Sequence, residues 1–175
     1  RRAGLAPALI VVPPGERSKA PRHVVRLWDQ FSDLEFERGD ALIALGGGVV
    51  GDLTGFAAAT WLRGIAWVCV PTSLLAQVDS SIGGKTGIDL ARGKNLVGAF
   101  HHPAGVLIDP DTLATLPERQ IAAGMSEVVK TGMVVDRTLF EWLERHIDAL
   151  RAGDLPALSQ AIERSVRAKA TVVSR

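Results

Sequence analysis

The stretch Asp79-Ser80-Ser81-Ile82-Gly83-Gly84-Lys85-Thr86-Gly87, followed by Lys94-Asn95, is the densest polar segment of the chain. Lysine ammonium groups bind carboxylate or phosphate oxygens, while a carboxylate and an amide orient hydroxyls. Asp79, Lys85, Lys94 and Asn95 together therefore suit an anionic, hydroxylated substrate; a solvated surface loop is the alternative. The Gly-Gly-Lys-Thr run is not a triphosphate-binding loop. That motif needs four residues between its first glycine and its Gly-Lys pair, and matching back from Gly84-Lys85 puts Asp79 where that glycine should stand.

A second candidate is Gly46-Gly47-Gly48-Val49-Val50-Gly51-Asp52, where an apolar run gives way to a helical pattern. Glycines admit a phosphate or ribose close to the backbone, and a helix start favours negative charge. The spacing is not the usual dinucleotide fingerprint. Asp52 serves either as a helix cap or as acceptor for a bound hydroxyl. Pro71-Thr72-Ser73 repeats the arrangement after the next apolar run, with Thr72 and Ser73 either capping a helix or lining a cleft. Loops after successive parallel strands meet at one sheet edge, where ligands bind. Glu16 and Lys19 border the same edge or form a solvated pair.

Glu127 and Lys130 stand three apart on a helical pattern and share one face. They form a surface ion pair, or a partly buried group in which Glu127 ligates a metal. Arg63, just before an apolar run, is a loop arginine or a residue offered to a partner chain. Adjacent His101 and His102 point in different directions and make no zinc motif; His23 and His146 fall in ordinary helical patterns. Cys69, the sole cysteine, lies in an apolar run and reads as a buried, inert thiol.

These residues need a frame. Apolar runs at 9–12, 41–45, 65–70 and 106–109 read as strands, the second continuous enough to be covered on both faces. Helical periodicity occupies 21–31 and 49–60 between them. Strand–helix alternation predicts a Rossmann-like α/β fold with an open, parallel-rich sheet. Glycine usage then changes: 12 of 18 glycines lie between residues 46 and 105. Beyond residue 111 the pattern is helical, over 118–134, 138–150 and 155–173. We therefore expect an α/β domain over 1–110 and the beginning of an all-helical domain over 111–175. The opening Arg1-Arg2 lacks a methionine and the last helical pattern runs to Arg175 without a stop, so both domains are expected to be incomplete.

The 175 residues are 47% hydrophobic and 22% charged, with a formal net charge of +1. That balance argues against general disorder and supplies no global field for nucleic acid or an anionic membrane. No apolar run reaches 18 residues, and a reduced cytoplasm is the expected setting.

The ordered series of motifs closely resembles the 3-dehydroquinate synthases, a sugar-phosphate cyclase family. It comprises Pro14-Gly15-Glu16 with Lys19, the glycine run through Leu53, residues 55–60, Pro71 through Ser81, Gly83 through Gly87, Lys94-Asn95, Leu116-Pro117-Glu118-Arg119, Gly124, and Glu127 through Gly132. The resemblance implies an enzyme that converts a phosphorylated heptulosonate, 3-deoxy-D-arabino-heptulosonate 7-phosphate, to 3-dehydroquinate and phosphate, with NAD and a divalent ion (Zn2+, or Co2+) in a homodimer. By it, Glu16, Lys19, Gly47, Gly48, Asp52, Thr72 and Ser73 are NAD contacts. Asp79, Lys85, Lys94, Asn95 and Lys130 are the substrate group, Glu127 is a metal ligand, and Arg63 reaches phosphate across the dimer.

The implied sequence is hydride transfer to NAD, phosphate elimination, return of the hydride, ring opening and aldol closure. Zinc fits the developing alkoxide and the ketone. His102, Gln120 and Ser126 depart from the family's frequent glutamine, glutamate and alanine. The family's metal-binding histidines belong to sequence beyond Arg175, so the chain alone is expected to be inactive. Other cyclases, such as 2-deoxy-scyllo-inosose synthase and the valiolone-forming enzymes, glycerol dehydrogenase-like enzymes, and a non-catalytic NAD-binding fragment are the competing readings.

Overall fold

Two runs of buried apolar side chains organise the molecule. The first joins Val24, Leu27 and Phe31 to Leu53, Phe56, Ile65, Trp67 and Ile88, and the second joins Leu74 and Val78 to Val128, Leu139, Trp142, Leu158 and Ile162. The structure, a computed structural model, describes Gly4 and residues 6–174; the terminal Arg1-Arg2 and Arg175 lie outside the described residues.

Helix α1, Pro21–Asp33, opens with proline at its first position and buries Val24, Leu27 and Phe31, one helical face. Phe31 stacks on Phe36 and meets Trp61 edge-on, both with ring centroids 5.5 Å apart. Strand β1, Ala41–Gly46, leads through Gly47 into α2, Gly48–Thr60. Strand β2, Ala66–Pro71, pairs parallel with β1 in the register Ala41↔Ala66 to Gly46↔Pro71. A two-residue strand β5, Gly105–Val106, completes the parallel sheet in the order β1-β2-β5.

Between β2 and β5 the chain forms a π-helical turn, Ala76–Ser80, and an antiparallel hairpin of β3, Lys85–Leu90, and β4, Gly93–Phe100. The rest is helical: α3 Glu118–Val134, α4 Arg137–Arg145, α5 Ile147–Arg151 and α6 Leu155–Val173. This is the expected parallel sheet followed by helices. Cys69 is buried, which pushes its thiol up to about 11 and keeps it protonated.

The structure corrects several expectations. Residues 9–12 alternate exposed Leu9 and Val11 with half-buried Ile10 and Val12 but form no strand; a strand needs a paired neighbour. β1 is covered on one face only: Leu42 and Ala44 are buried, whereas Ile43 and Leu45 are 66% and 65% exposed. The strand expected over 106–109 shrinks to the two residues paired with Val68 and Cys69. The polar segment over 85–100 is a hairpin. The single helix expected over 138–150 breaks at His146, whose ring turns back to the Trp142 carbonyl at 2.8 Å and stacks on the Trp142 ring.

Helix α4 begins at Asp136, whose carboxylate accepts the Thr138 N–H at 2.9 Å and the Leu139 N–H at 3.3 Å. Its hydrogen bonds, that to Thr138 first, hold its pKa below the ordinary 3.8. A depressed carboxylate contributes stability above its unfolded value and loses it as pH falls through the folded one. Urea unfolding of Asp136→Ala is therefore expected to show a loss of about 1 kcal/mol near neutrality. The gap should narrow as pH drops below 3.8; a gap independent of pH would contradict the cap.

Candidate functional site

The parallel register brings the ends of β1 and β2 side by side. Thr72 donates its N–H to the Gly46 carbonyl at 2.9 Å, extending the ladder into both loops. Ser73 accepts the Ala76 N–H at 3.4 Å, so it caps the helical segment that leads to Asp79. A Cβ on Gly47 would sit 3.4 Å from that Ser73 hydroxyl, and one on Gly48 would come within 2.9 Å of Ser80 Oγ. The start of α2 is thus bare backbone, with no side-chain cap. Its free first-turn N–H groups suit a pyrophosphate.

Asp52 is not the cap of α2. It lies one turn inside the helix and pairs with Lys19, which is almost wholly buried. Burial raises the Asp52 carboxyl, the Lys19 hydrogen bond and charge oppose this, and the charges of Glu16 and Asp89 push it further up. Lys19 therefore keeps Asp52 usable as an acceptor against its own desolvation. Glu16, in the turn just before, reaches Lys94 of β4 at 3.1 Å. Both ends are well exposed, and such a pair contributes little stability.

A cleft of about 630 Å³ opens between α2, the π-helical turn, the hairpin and the helical region. Asp52, Asp79, Lys85, Asn95 and Lys130 all line it. Five residues separated by up to 78 positions in sequence thus share one space, which deep π-turn and hairpin geometry makes possible. Lys94 is not among the lining residues, being turned to Glu16.

On α3, Lys130 donates to Glu127, and the exposed ammonium stands against a carboxylate only about one-fifth exposed. That hydrogen bond raises the Lys130 pKa, the Glu127 charge and then the Asp79 charge adding to it. Lys130 is held as a cation facing Asp79. Arg63 sits apart in the short turn Trp61–Arg63, where Leu62 and Arg63 both adopt left-handed φ of 48° and 69° and are exposed. His101 turns to the Ile65 carbonyl at 2.9 Å while the His102 ring lies over Gly84, so the adjacent imidazoles diverge as expected. Ser126 donates to the Ala122 carbonyl at 3.0 Å on an exposed face, and Gln120 is exposed.

One cleft residue escaped the sequence reading. Lys169 of α6 pairs with the Asp79 carboxylate, donates also to its carbonyl, and lines the cleft beside Lys130. In sequence it sits in a charged helical pattern that reads as a solvated face. Among the described residues no three of His, Cys, Asp and Glu converge. A zinc site takes at least three protein ligands, so these residues do not fit the ion by themselves. Glu127 offers one carboxylate, engaged with Lys130.

The buried pair makes a stability prediction. Lys19→Met strands the Asp52 carboxylate and is expected to cost about 3 kcal/mol in urea unfolding, with Lys19→Met/Asp52→Leu recovering most of it. Equal losses in the single and double variants would show that the pair is not what holds the α2 start.

Residues 9–123 match the family model for the 3-dehydroquinate synthase N-terminal region, and residues 124–175 match that for its C-terminal region. The 3-dehydroquinate synthase of Synechococcus sp. is 57% identical over 100% of this chain, which spans 48% of that protein. Among solved structures, a 2-deoxy-scyllo-inosose synthase complexed with carbaglucose-6-phosphate, NAD+ and Co2+ is 34% identical, with a TM-score of 0.85 over 93% of this chain and 44% of that one. A 2-epi-5-epi-valiolone synthase from Streptomyces hygroscopicus, with NAD+ and Zn2+ bound, is 32% identical, with a TM-score of 0.84 over 90% and 44%. The chain spans about half the length of the relatives it matches, and it belongs to the 3-dehydroquinate synthase family.

Proposed function

We propose that this chain is the NAD-side half and the first helical part of a 3-dehydroquinate synthase. Joined to the remainder that its relatives carry, it would convert 3-deoxy-D-arabino-heptulosonate 7-phosphate to 3-dehydroquinate and phosphate. The observation that carries the reading is the shared cleft: Asp79, Lys85, Asn95 and Lys130 face one space beside Asp52. Identity of 57% to a 3-dehydroquinate synthase, against 34% to a 2-deoxy-scyllo-inosose synthase, favours the heptulosonate over other cyclase substrates.

On this reading the bare start of α2 receives the pyrophosphate, Thr72 and Ser73 flank it, and Asp52, fixed by Lys19, accepts a ribose hydroxyl, with Glu16 alongside. Held by those residues, NAD would supply a reversible hydride acceptor beside the substrate side of the cleft. Lys85 and Lys130 supply fixed positive charge for oxyanions. Lys130 is suited to that rather than to proton abstraction, because Glu127 and Asp79 hold it protonated. Asp79, oriented by Lys169, accepts the hydroxyl proton's hydrogen bond. Asn95 closes the hairpin side.

Glu127 is the carboxylate this chain would offer to Zn2+ or Co2+, the other ligands coming from outside residues 1–175. Arg63, exposed away from the cleft, would serve the substrate phosphate of a second copy in a homodimer. The α/β part over 1–110 and the helices over 111–175 would belong to separate domains that meet at the cleft. The reducing environment of a cytoplasm suits a lone free thiol. Among the described residues no helix is long and apolar enough to cross a membrane.

The test uses the longer protein with the heptulosonate phosphate. It should release inorganic phosphate with no net accumulation of NADH, and Glu127→Ala should lower metal occupancy and turnover together by at least about a hundredfold. Accumulating NADH without phosphate release would make the protein a simple dehydrogenase instead.

A further inference from the structure

The two lysine-side residues Lys94 and Asn95 occupy an irregularity in the hairpin. Ile88 pairs with Val97, but Leu90, two residues on, pairs with Gly93. Asp89 thus stands opposite Lys94, Asn95 and Leu96, and β4 bulges outward across it. Bulges beside active sites re-aim side chains. Asn95 takes a left-handed φ of 56° there, a conformation that costs a non-glycine residue energy unless its surroundings hold it.

The Asp89 side chain supplies the hold. Its Oδ1 accepts the Asn95 N–H at 2.8 Å. Its own N–H donates to the Lys19 carbonyl at 2.8 Å. Lys19 in turn carries the buried pair with Asp52, and Lys94 beside Asn95 reaches Glu16. Asp89 is half-buried and does not line the cleft. It is bonded on one side to the strand-end group around Lys19 and on the other to the cleft residue Asn95.

We propose that Asp89 is a positioning residue. Through the Asn95 amide it sets the bulge that presents Asn95 to the cleft, and its backbone N–H on the Lys19 carbonyl holds that bulge at a fixed distance from the cofactor side. A hydride must pass between cofactor and substrate, and a fixed spacing of the two sides is what such a transfer requires. The cofactor and substrate labels rest on the proposed function; the geometric role of Asp89 does not.

The experiment has two arms. In the 175-residue chain, amide hydrogen exchange should show the Asn95 N–H exchanging at least about tenfold faster in Asp89→Ala, with Thr86 and Val97 unchanged. Asp89→Asn, which keeps an acceptor oxygen, should restore part of the protection and also serves if the alanine variant does not fold. In the longer protein, Asp89→Ala should lower kcat/KM roughly ten- to a hundredfold, mainly through KM. In an Asn95→Ala background the same change should cost less than about twofold, because the residue it acts through has lost its side chain.

Unchanged Asn95 exchange in Asp89→Ala overturns the proposal, as does full multiplication of the two kinetic losses. If the unsubstituted longer protein releases no phosphate, the functional reading fails, and the exchange arm still decides the role of Asp89.

Discussion

Helix α3 approaches the backbone after β2 so closely that only a hydrogen fits between them. A Cβ at Gly124 would lie 2.6 Å from the Leu74 side chain and 2.7 Å from the Leu75 nitrogen, and neither a core leucine with no exposure nor a backbone amide can step aside. From that contact α3 runs on with Val128 and Thr131 buried. Lys130, paired with Glu127, is carried on the flank and lines the cleft with Asp79. The second apolar cluster continues the same joint, since Leu74 and Val78 pack with Val128, Leu139 and Leu158. The helical region is thereby docked on the segment between β2 and the hairpin, and the cleft is the space the docking leaves.

Charge is distributed in keeping with that frame. The pair taken furthest from water, Lys19 with Asp52, lies at the start of α2, where each partner's burial would be costly alone. The cations that face the cleft, Lys85, Lys130 and Lys169, stay partly hydrated and are balanced by Asp79 and Glu127. Such a site attracts an anion while its lysines remain charged. The fully buried Gln77 ties the turn to the rest of the frame. Its amide nitrogen lies 3.3 Å from the Pro71 carbonyl, 3.1 Å from that of Asp109 and 3.1 Å from Thr112 Oγ1. The π-helical turn Ala76–Ser80 is therefore anchored at Gln77, two residues before Asp79.

Much of this was legible beforehand because it rests on local patterns. Proline at the head of α1, the apolar runs of β1 and β2 and the periodicity of α3 and α6 each name their element. The parallel pairing then forces the loops at Gly47 and Thr72 together. What escaped depends on non-local geometry. The hairpin turns through Ala91-Arg92, which lack the Asn-Gly chemistry that announces a tight turn. Lys169 is ninety positions from Asp79, and nothing in helical periodicity says that its ammonium leaves the solvent face to meet a carboxylate. Ile43 and Leu45 read as covered because strand composition reports what a face can bury, not what lies against it.

Asp79 faces the lysines of the helical region across one cleft, and zero-length carbodiimide coupling of the folded chain probes that proximity. The carboxylate and the amine are each partly exposed, so reagent can reach them. Mass spectrometry should find an amide bond between Asp79 and Lys169, absent after unfolding in urea. Coupling of Asp79 only to residues of its own turn and hairpin, with none to α3 or α6, would contradict the account.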